Sequence, residues 1–231
     1  MIWTMFQVKI CGITTVADAL AAARAGADAV GLNFFPGSKR FIASERACEI
    51  AESLPTGTVK VGVFVNACEN AIQRQHELLG LDAVQLHGDE PPELLARLSA
   101  IPLIRAFRLD SRGFGPIDEY LAACADLGAT PRMILLDACV TGQYGGTGIT
   151  LDWPALRGEA SSARRPPIVL AGGLTPINVA TAIRAVQPAA VDTAGGIEYA
   201  PGKKDHLLMA AFVTAARAAF GELGRQFPVG P

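Results

Sequence analysis

Charged residues are scarce in this sequence, and the charges that it carries nearly balance. Only 18% of the 231 residues are charged, and the formal net charge is −2 at pH 7. Proteins that bind nucleic acid or an anionic membrane surface carry a marked positive excess. We therefore expect neither of these partners.

The sequence also lacks paired cysteines and a long apolar run, and its first residues do not predict a leader segment. The cysteines are odd in number and never form a CxxC pair, which favours reduced thiols in a cytoplasmic protein over a disulfide framework or a zinc site. No apolar run approaches the ~18 residues of a membrane span, and the first residues lack a basic segment followed by an apolar one. The five cysteines are Cys11, Cys48, Cys68, Cys124 and Cys139.

Hydrophobic residues, in contrast, make up 50% of the chain and recur in short runs. Eight runs indicate strands that alternate with helical segments. This alternation predicts an α/β fold, a single (β/α)8 TIM barrel of eight parallel strands over residues 1–223, with a frayed C-terminal tail over residues 224–231. A doubly wound sheet would use fewer strands and a G-x-G-x-x-G turn after the first, and that turn is missing. The predicted strands are residues 8–11, 28–34, 59–65, 83–87, 102–107, 133–137, 168–171 and 190–193.

Two helix starts allow a specific prediction. Thr15 and Asp18 form a capping box that opens the first helix, and Gly26 closes it. Ser44 is predicted to cap the second helix, which runs through Leu54. The last helix is predicted over residues 206–223, and residues 154–165 give no clear helix.

Polar residues lie at the predicted carboxyl ends of the strands, where α/β barrels carry their active sites. Cys11 ends the first strand, Gln85 and His87 belong to the fourth, Asp137 ends the sixth, and Arg40 follows the second. His87 is interpreted as a hydrogen-bonded interior residue more readily than as a ligand contact. Arg40 is a solvated surface cation unless its loop covers the mouth of the barrel. These five residues are the candidate site residues that carry polar side chains.

Cys11 and Asp137 are the candidates for proton transfer. A free cysteine is by default a small buried hydrophobe. Lys9 shares its face of the strand, however, and a cation and a helix start both lower the pKa of a thiol from ~8.5. Asp137 closes an apolar strand, a position that favours chemistry, although the residue could also cap the next loop. A thiol and a carboxyl group that face each other suit acid–base chemistry.

Two pairs of glycines predict a phosphate anchor. Gly172 and Gly173 follow the seventh strand, and Gly195 and Gly196 follow the eighth, where barrels bind phosphate through backbone N–H groups. The alternative is that these glycines only permit tight turns. Together with the thiol and the carboxyl group, such an anchor indicates proton transfer on a sugar phosphate. No metal cluster, nucleotide motif or Schiff-base lysine is visible.

Nine short motifs follow one another in a family-specific order along nearly the whole chain. They are VKICGIT at 8–14, AGADAVG at 25–31, SKRF at 38–41, VGVFVN at 61–66, DAVQLHGDE at 82–90, LDA at 136–138, GGTG at 145–148 with Asp152 and Trp153, LAGGL at 170–174 and PGKKD at 201–205. In these motifs the sequence resembles the phosphoribosylanthranilate isomerases, barrel enzymes of tryptophan biosynthesis.

The resemblance implies a reaction and a role for each candidate. The reaction is the Amadori rearrangement of N-(5-phosphoribosyl)anthranilate to 1-(2-carboxyphenylamino)-1-deoxyribulose 5-phosphate, the third stage of tryptophan biosynthesis from chorismate, and it requires no cofactor. By this resemblance Asp137 is the general acid, Cys11 as thiolate is the general base, and Arg40 contacts the anthranilate carboxylate. The acid then needs a pKa raised from ~3.9 by burial, and the base needs the opposite shift. The glycine turns match the family's phosphate site.

One departure from the family pattern concerns this phosphate site. The family usually carries two serines before the glycine that follows strand eight, whereas this chain has Ala194 and Gly195 there. Ile149 also replaces a residue that is commonly polar. Two other hypotheses remain open: a related barrel that acts on another sugar phosphate, and a catalytically silent barrel that only binds a phosphorylated ligand. The protein is predicted to be a monomer or a homodimer.

Overall fold

Eight parallel strands close into a barrel, which confirms the predicted fold class. The protein was analysed as a computed structural model that describes residues 5–109, 112–138, 153, 156, 158 and 165–226. The strands pair in chain order, and the first pairs with the eighth to close the sheet. They are β1 (Val8–Cys11), β2 (Ala29–Asn33), β3 (Val59–Phe64), β4 (Ala83–Leu86), β5 (Leu103–Leu109), β6 (Met133–Ala138), β7 (Ile168–Leu170) and β8 (Ala190–Thr193).

Helices follow all but one of these strands within the part of the chain that the structure describes. They are α1 (Val16–Ala25), α2 (Ser44–Ser53), α3 (Glu69–Leu79), α4 (Pro92–Arg97), α5 (Gly115–Asp126), α6 (Val179–Val186) and α7 (His206–Gln226). Most of the connection between β6 and β7 lies outside the described residues. Several sequence observations fall there: the motif at 145–148, Asp152, Ile149 and Cys139.

The alternation of side chains along β1 separates the core from the site. Val8 and Ile10 are fully buried in the hydrophobic layer between the sheet and the helices. Lys9 and Cys11 point the other way, into the barrel, as expected from the period of two along a strand. A second apolar cluster, which includes Phe6 and Met133, fills the interior of the barrel. The polar residues of β1 therefore project from a packed base.

Three local features differ from the sequence predictions. Ser44 does not cap α2; it is the first helical residue, and its hydroxyl accepts a hydrogen bond from Gln75 at 2.7 Å. Two short antiparallel strands that were not predicted, β9 (Glu198–Ala200) and β10 (Lys203–Lys204), follow β8. α7 continues to Gln226, past the predicted end at residue 223.

The cap at Thr15 is confirmed, because its side chain accepts a hydrogen bond from the Asp18 amide. That residues 1–223 form one domain stays a prediction.

α7 is a long and strongly apolar helix. Among the described residues it is the one helix whose length and composition would allow it to cross a membrane. This helix was not among the apolar runs considered from the sequence. The helix packs against α1 and α6. Met209, Phe212 and Val213 on one of its faces are buried. α7 therefore has the contacts of a barrel helix that covers the sheet.

The buried face of α6 provides a test of the packing. Ile183 is fully buried, whereas Ile177, just before the helix, is 92% exposed. We expect Ile183→Ala to lower the free energy of unfolding by about 2–5 kcal/mol, because it removes buried methyl groups and leaves a cavity. Ile177→Ala should stay within about 0.5 kcal/mol of the parent. Urea unfolding measures both, and equal losses would contradict the packing described here.

Candidate active site

A cavity of about 320 Å³ opens at the carboxyl ends of the barrel strands. All nine residues predicted as site residues line it, so the structure brings together every position that the sequence singled out. They are Cys11, Arg40, Gln85, His87, Asp137, Gly172, Gly173, Gly195 and Gly196. The common location follows from parallel strands that all end at the same rim of the barrel.

A fully buried ammonium group lies beside Cys11. Lys9 donates to Gln85 Oε1 and to Asp192 Oδ1, each at 3.0 Å. Burial alone would lower the pKa of Lys9, but the carboxylate of Asp192 and the adjacent thiol of Cys11 raise it above its ordinary value. Lys9 is therefore a permanent cation at neutral pH, and it is held in place by strands on both sides of the barrel.

The pKa of Cys11 departs from the direction expected from the sequence. Burial raises the pKa of the thiol above its ordinary value, the charge of Lys9 opposes this shift, and the charge of Asp192 adds to it. The predicted decrease was therefore wrong for the ligand-free protein, because the loss of hydration outweighs the neighbouring cation. The thiol also fits closely against β2, since a Cβ on Gly31 would lie 2.7 Å from Cys11 Sγ.

His87 links two candidate residues on different strands. Its Nδ1 lies 2.8 Å from Gln85 Nε2, and its Nε2 lies 3.4 Å from Asp137 Oδ2. Asp137 is buried at the end of β6. His87 is thus a hydrogen-bonded residue, as the sequence interpretation favoured, and it also reaches the cavity.

Arg40 is clamped across the rim and is not a solvated surface cation. Its Nε and Nη2 donate to the two carboxylate oxygens of Glu198 at 2.8 and 2.7 Å. The stem passes so close to Gly12 that a Cβ there would lie 2.3 Å from Arg40 Cδ, and a Cβ on Gly195 would lie 3.2 Å from Nη2. Among the described residues, Nη1 has no hydrogen-bond partner, and Arg40 lines the cavity.

Glu198 also connects Arg40 to the strand that carries the thiol. Lys204 donates to Glu198 Oε1 at 2.8 Å, to the carbonyl oxygen of Cys11 at 2.6 Å and to that of Ala194 at 3.0 Å. Burial alone would raise the pKa of Glu198, but the hydrogen bond from Arg40 and the charge of Lys204 hold it below its ordinary value. Glu198 is therefore an ionised residue shared by two cations.

Three of these polar residues were not predicted as site residues from the sequence. Asp192 lies near the end of the apolar strand β8 as Asp137 does in β6, so the same pattern indicates both residues. Glu198 and Lys204 lie in the β9–β10 hairpin, beyond the barrel strands, and Glu198 is 158 residues from its partner Arg40. No local pattern in the sequence indicates that contact.

The glycine turns after β7 and β8 form one wall of the cavity. Gly172 and Gly173 have φ values of 82° and 65°, which glycine adopts readily. Among the described residues, their amide N–H groups have no protein acceptor. Gly196 lies against the preceding turn, where a Cβ would come within 1.9 Å of the Leu174 carbonyl oxygen. Tight packing therefore requires glycine at position 196. The N–H groups of Gly172 and Gly173 remain available to an anion.

The closed barrel, with a thiol, a carboxylate and glycine turns around the cavity at its carboxyl end, has the architecture of a (β/α)8-barrel enzyme. A sequence model of the family described as N-(5'phosphoribosyl)anthranilate (PRA) isomerase matches residues 8–215. The chain belongs to this family, which confirms the resemblance seen in the motifs.

Individual relatives and solved structures agree with this assignment. The chain is 46% identical to N-(5'-phosphoribosyl)anthranilate isomerase of Rubrobacter xylanophilus over 93% of its own length and all of the relative's. Its similarity to the Myxococcus xanthus enzyme of the same name is 43% identity over 92% and 96% of the two chains. The crystal structure of the Thermotoga maritima enzyme superposes with a TM-score of 0.82 at 40% identity, covering 92% of this chain and 99% of that one.

One solved member of the family contains a ligand. The crystal structure of a phosphoribosyl anthranilate isomerase in complex with reduced 1-(o-carboxyphenylamino)-1-deoxyribulose 5-phosphate matches this chain with a TM-score of 0.79 and 38% identity. The match covers 92% of this chain and 99% of that one. That compound carries both a carboxylate and a phosphate.

The clamp on Arg40 gives a prediction for stability. We expect Glu198→Gln to lower the free energy of unfolding at neutral pH by about 1.5–3 kcal/mol, because two cations lose an ionised partner. The pKa of Glu198 is depressed in the folded protein, so its contribution is complete above the unfolded pKa of about 4.3 and is lost as the pH falls through the folded value. The difference between parent and variant should therefore shrink in acid.

The control for this prediction is Glu49→Gln. Glu49 forms an exposed pair with Arg46, and its side chain is 57% exposed. We expect that variant to lose less than about 1 kcal/mol. Urea unfolding across the acid range compares the two, and a Glu198→Gln loss that does not depend on pH would contradict the clamp.

The raised pKa of Cys11 predicts slow alkylation. Because iodoacetamide reacts with the thiolate, Cys11 should react more slowly than the exposed Cys68 at neutral pH in the ligand-free protein. Site-resolved mass spectrometry over time measures both rates in one sample. Equal rates would mean that Lys9 outweighs the effect of burial.

Proposed function

We propose that this chain catalyses the rearrangement of N-(5-phosphoribosyl)anthranilate to 1-(2-carboxyphenylamino)-1-deoxyribulose 5-phosphate in tryptophan biosynthesis. The observation that carries the proposal is that Cys11, Asp137 and the glycine turns share one cavity in a member of the isomerase family. The reaction needs a proton donated to one atom of the sugar and a proton removed from another. A carboxyl group and a thiol on different strands suit these two tasks.

Asp137 and Cys11 divide the chemistry between them. Asp137 donates a proton to the ring oxygen of the sugar, the C1–O bond breaks, and the nitrogen lone pair forms a protonated imine. Cys11, as thiolate, then removes the proton from C2. The electron pair of that C–H bond forms the C1–C2 double bond, the C–N π pair returns to nitrogen, and the resulting enolamine tautomerises to the ketone. The Lys9 ammonium lies beside Cys11 and stabilises the thiolate, whose formation burial disfavours.

The two ends of the substrate bind at opposite sides of the cavity. Arg40 contacts the anthranilate carboxylate through the Nη1 group that Glu198 does not use. The phosphate binds at the Gly172–Gly173 and Gly195–Gly196 turns. The hydroxyl of Thr193 donates to the Leu174 carbonyl oxygen at 2.8 Å and is therefore not available to the phosphate. Since the usual serines are missing, phosphate binding rests on backbone N–H groups.

The enzyme acts in the cytoplasm on a phosphorylated small molecule, without nucleic acid or membrane as partner. It is a monomer or a homodimer; one solved relative from Thermotoga maritima is described as dimeric.

A coupled fluorescence assay tests the function. The upstream transferase forms the substrate from anthranilate and phosphoribosyl pyrophosphate, and the loss of its fluorescence reports turnover. We expect Cys11→Ala and Asp137→Asn each to lower kcat at least about 100-fold, because each removes one partner of the acid–base pair. Binding of the reduced product analogue, measured by calorimetry, should change by no more than a few-fold.

Two control variants make the result specific. Cys68→Ala and Asp126→Asn replace exposed residues of the same types outside the cavity, and both should turn over as the parent does. If the parent consumed substrate no faster than the spontaneous background, the isomerase assignment would fail. If the analogue bound but no variant changed the rate, the roles of Cys11 and Asp137 would be wrong.

A further inference from the structure

A chain of polar contacts crosses the floor of the cavity from β1 to β6. Lys9 Nζ donates to Gln85 Oε1 at 3.0 Å, Gln85 Nε2 lies 2.8 Å from His87 Nδ1, and His87 Nε2 lies 3.4 Å from Asp137 Oδ2. Gln85 and His87 are two residues apart on and just after β4, so both face the interior. The chain therefore connects the surroundings of Cys11 with Asp137.

The chemistry of the first link fixes the direction of the second. The Lys9 ammonium has only donors, so the atom of Gln85 that faces it must be the amide oxygen. The amide NH2 group of Gln85 then faces His87 and must donate, which requires a lone pair on Nδ1. In the neutral imidazole the proton is consequently on Nε2.

Burial makes this arrangement hard to reverse. Lys9 is fully buried and Gln85 is 1% exposed, so solvent cannot replace a lost partner. A rotated Gln85 amide would place its NH2 group against the ammonium, and two buried donors would face each other without an acceptor. The carboxylate of Asp192 holds Lys9 from β8 and so supports the same orientation.

We propose that Lys9 and Gln85 are positioning residues that fix the Nε2–H tautomer of His87, so that His87 donates a hydrogen bond to Asp137 Oδ2. This inference deepens the proposed function and rests on it for its catalytic meaning. In this arrangement Oδ2 is the atom of Asp137 that faces the His87 N–H group. When the proton of Asp137 moves to the sugar, the carboxylate left behind is stabilised by His87, which keeps its own proton throughout.

The length of the last contact is consistent with this role. At 3.4 Å, the distance between His87 Nε2 and Asp137 Oδ2 is longer than an ordinary N–H···O hydrogen bond. Such contacts are often long in ligand-free enzymes and shorten when charge develops in the reaction. The contact is worth most once Asp137 has lost its proton, because an ionised acceptor strengthens a hydrogen bond.

The test is the substitution Gln85→Glu, which keeps the shape of the side chain but replaces the NH2 group with an acceptor. The carboxylate accepts from Lys9 and from His87, so the imidazole proton should move to Nδ1 and leave a lone pair facing Asp137. Nitrogen-15 NMR of the ligand-free protein distinguishes the two tautomers. The chain has only three histidines, and the signals that His87→Asn removes identify His87.

We expect Nε2–H in the parent and Nδ1–H in Gln85→Glu, with kcat about 10-fold lower or more and product-analogue binding within about threefold of the parent. Gln85→Met, which removes both hydrogen bonds, should give a mixture of tautomers and remains informative if Gln85→Glu does not fold. Gln75→Glu is the matched control on α3, and it should leave the His87 signals and the turnover rate unchanged.

The outcomes separate this inference from the proposed function. If His87 carried its proton on Nδ1 in the parent protein, or if Gln85→Glu did not change the tautomer, the proposal that Lys9 and Gln85 fix the tautomer would be wrong. A reversed tautomer with unchanged kcat would overturn its catalytic role. Because the spectra need no substrate, a protein that shows the expected tautomers but no isomerase activity would instead refute the proposed function.

Discussion

The ammonium group of Lys9 inside the barrel is the constraint on which the arrangement of the site depends. Moving an isolated ammonium out of water costs many kcal/mol, and a buried charge persists only with partners that compensate it. Asp192 supplies the opposite charge, and the two residues are register partners in the β1–β8 pair that closes the barrel. The same cation orients the Gln85 amide and opposes the effect of burial on Cys11. The charge of Lys9 therefore takes part both in the β1–β8 contact that closes the barrel and in the surroundings of the Cys11 thiol.

Most of the fold could be predicted because the information is local. Each buried strand is a short apolar run, and each is separated from the next by a segment with helical character. Where the prediction was wrong, several local structures were compatible with the same residues. Ser44 is as acceptable in the first turn of a helix as at its cap, and only the contact with Gln75 decides between them. The β9–β10 strands are too short to show a period.

The positions of the site residues were equally predictable, since parallel strands end at one rim. Their electrostatic state was not. The pKa of Cys11 depends on two opposing effects in the folded barrel: burial raises it and the charge of Lys9 lowers it. The relative size of these effects cannot be estimated from the residues that neighbour Cys11 in the sequence. The pairing of Arg40 with Glu198 could not be predicted either, because Glu198 follows β8 and is 158 residues from Arg40 in the sequence. Contacts that join distant segments carry no periodic signal.

The separation between partners has a consequence for how the protein becomes active during synthesis. Lys9 and Asp192 are 183 residues apart, and Lys204 reaches the carbonyl of Cys11 across 193 residues. A nascent chain therefore carries its thiol and its lysine from the start, but without the carboxylate that balances the charge or the edge that closes the sheet. Contacts of such long range form late. The site is therefore complete only after the segment that carries Asp192 and Lys204 has been synthesised and has packed against β1.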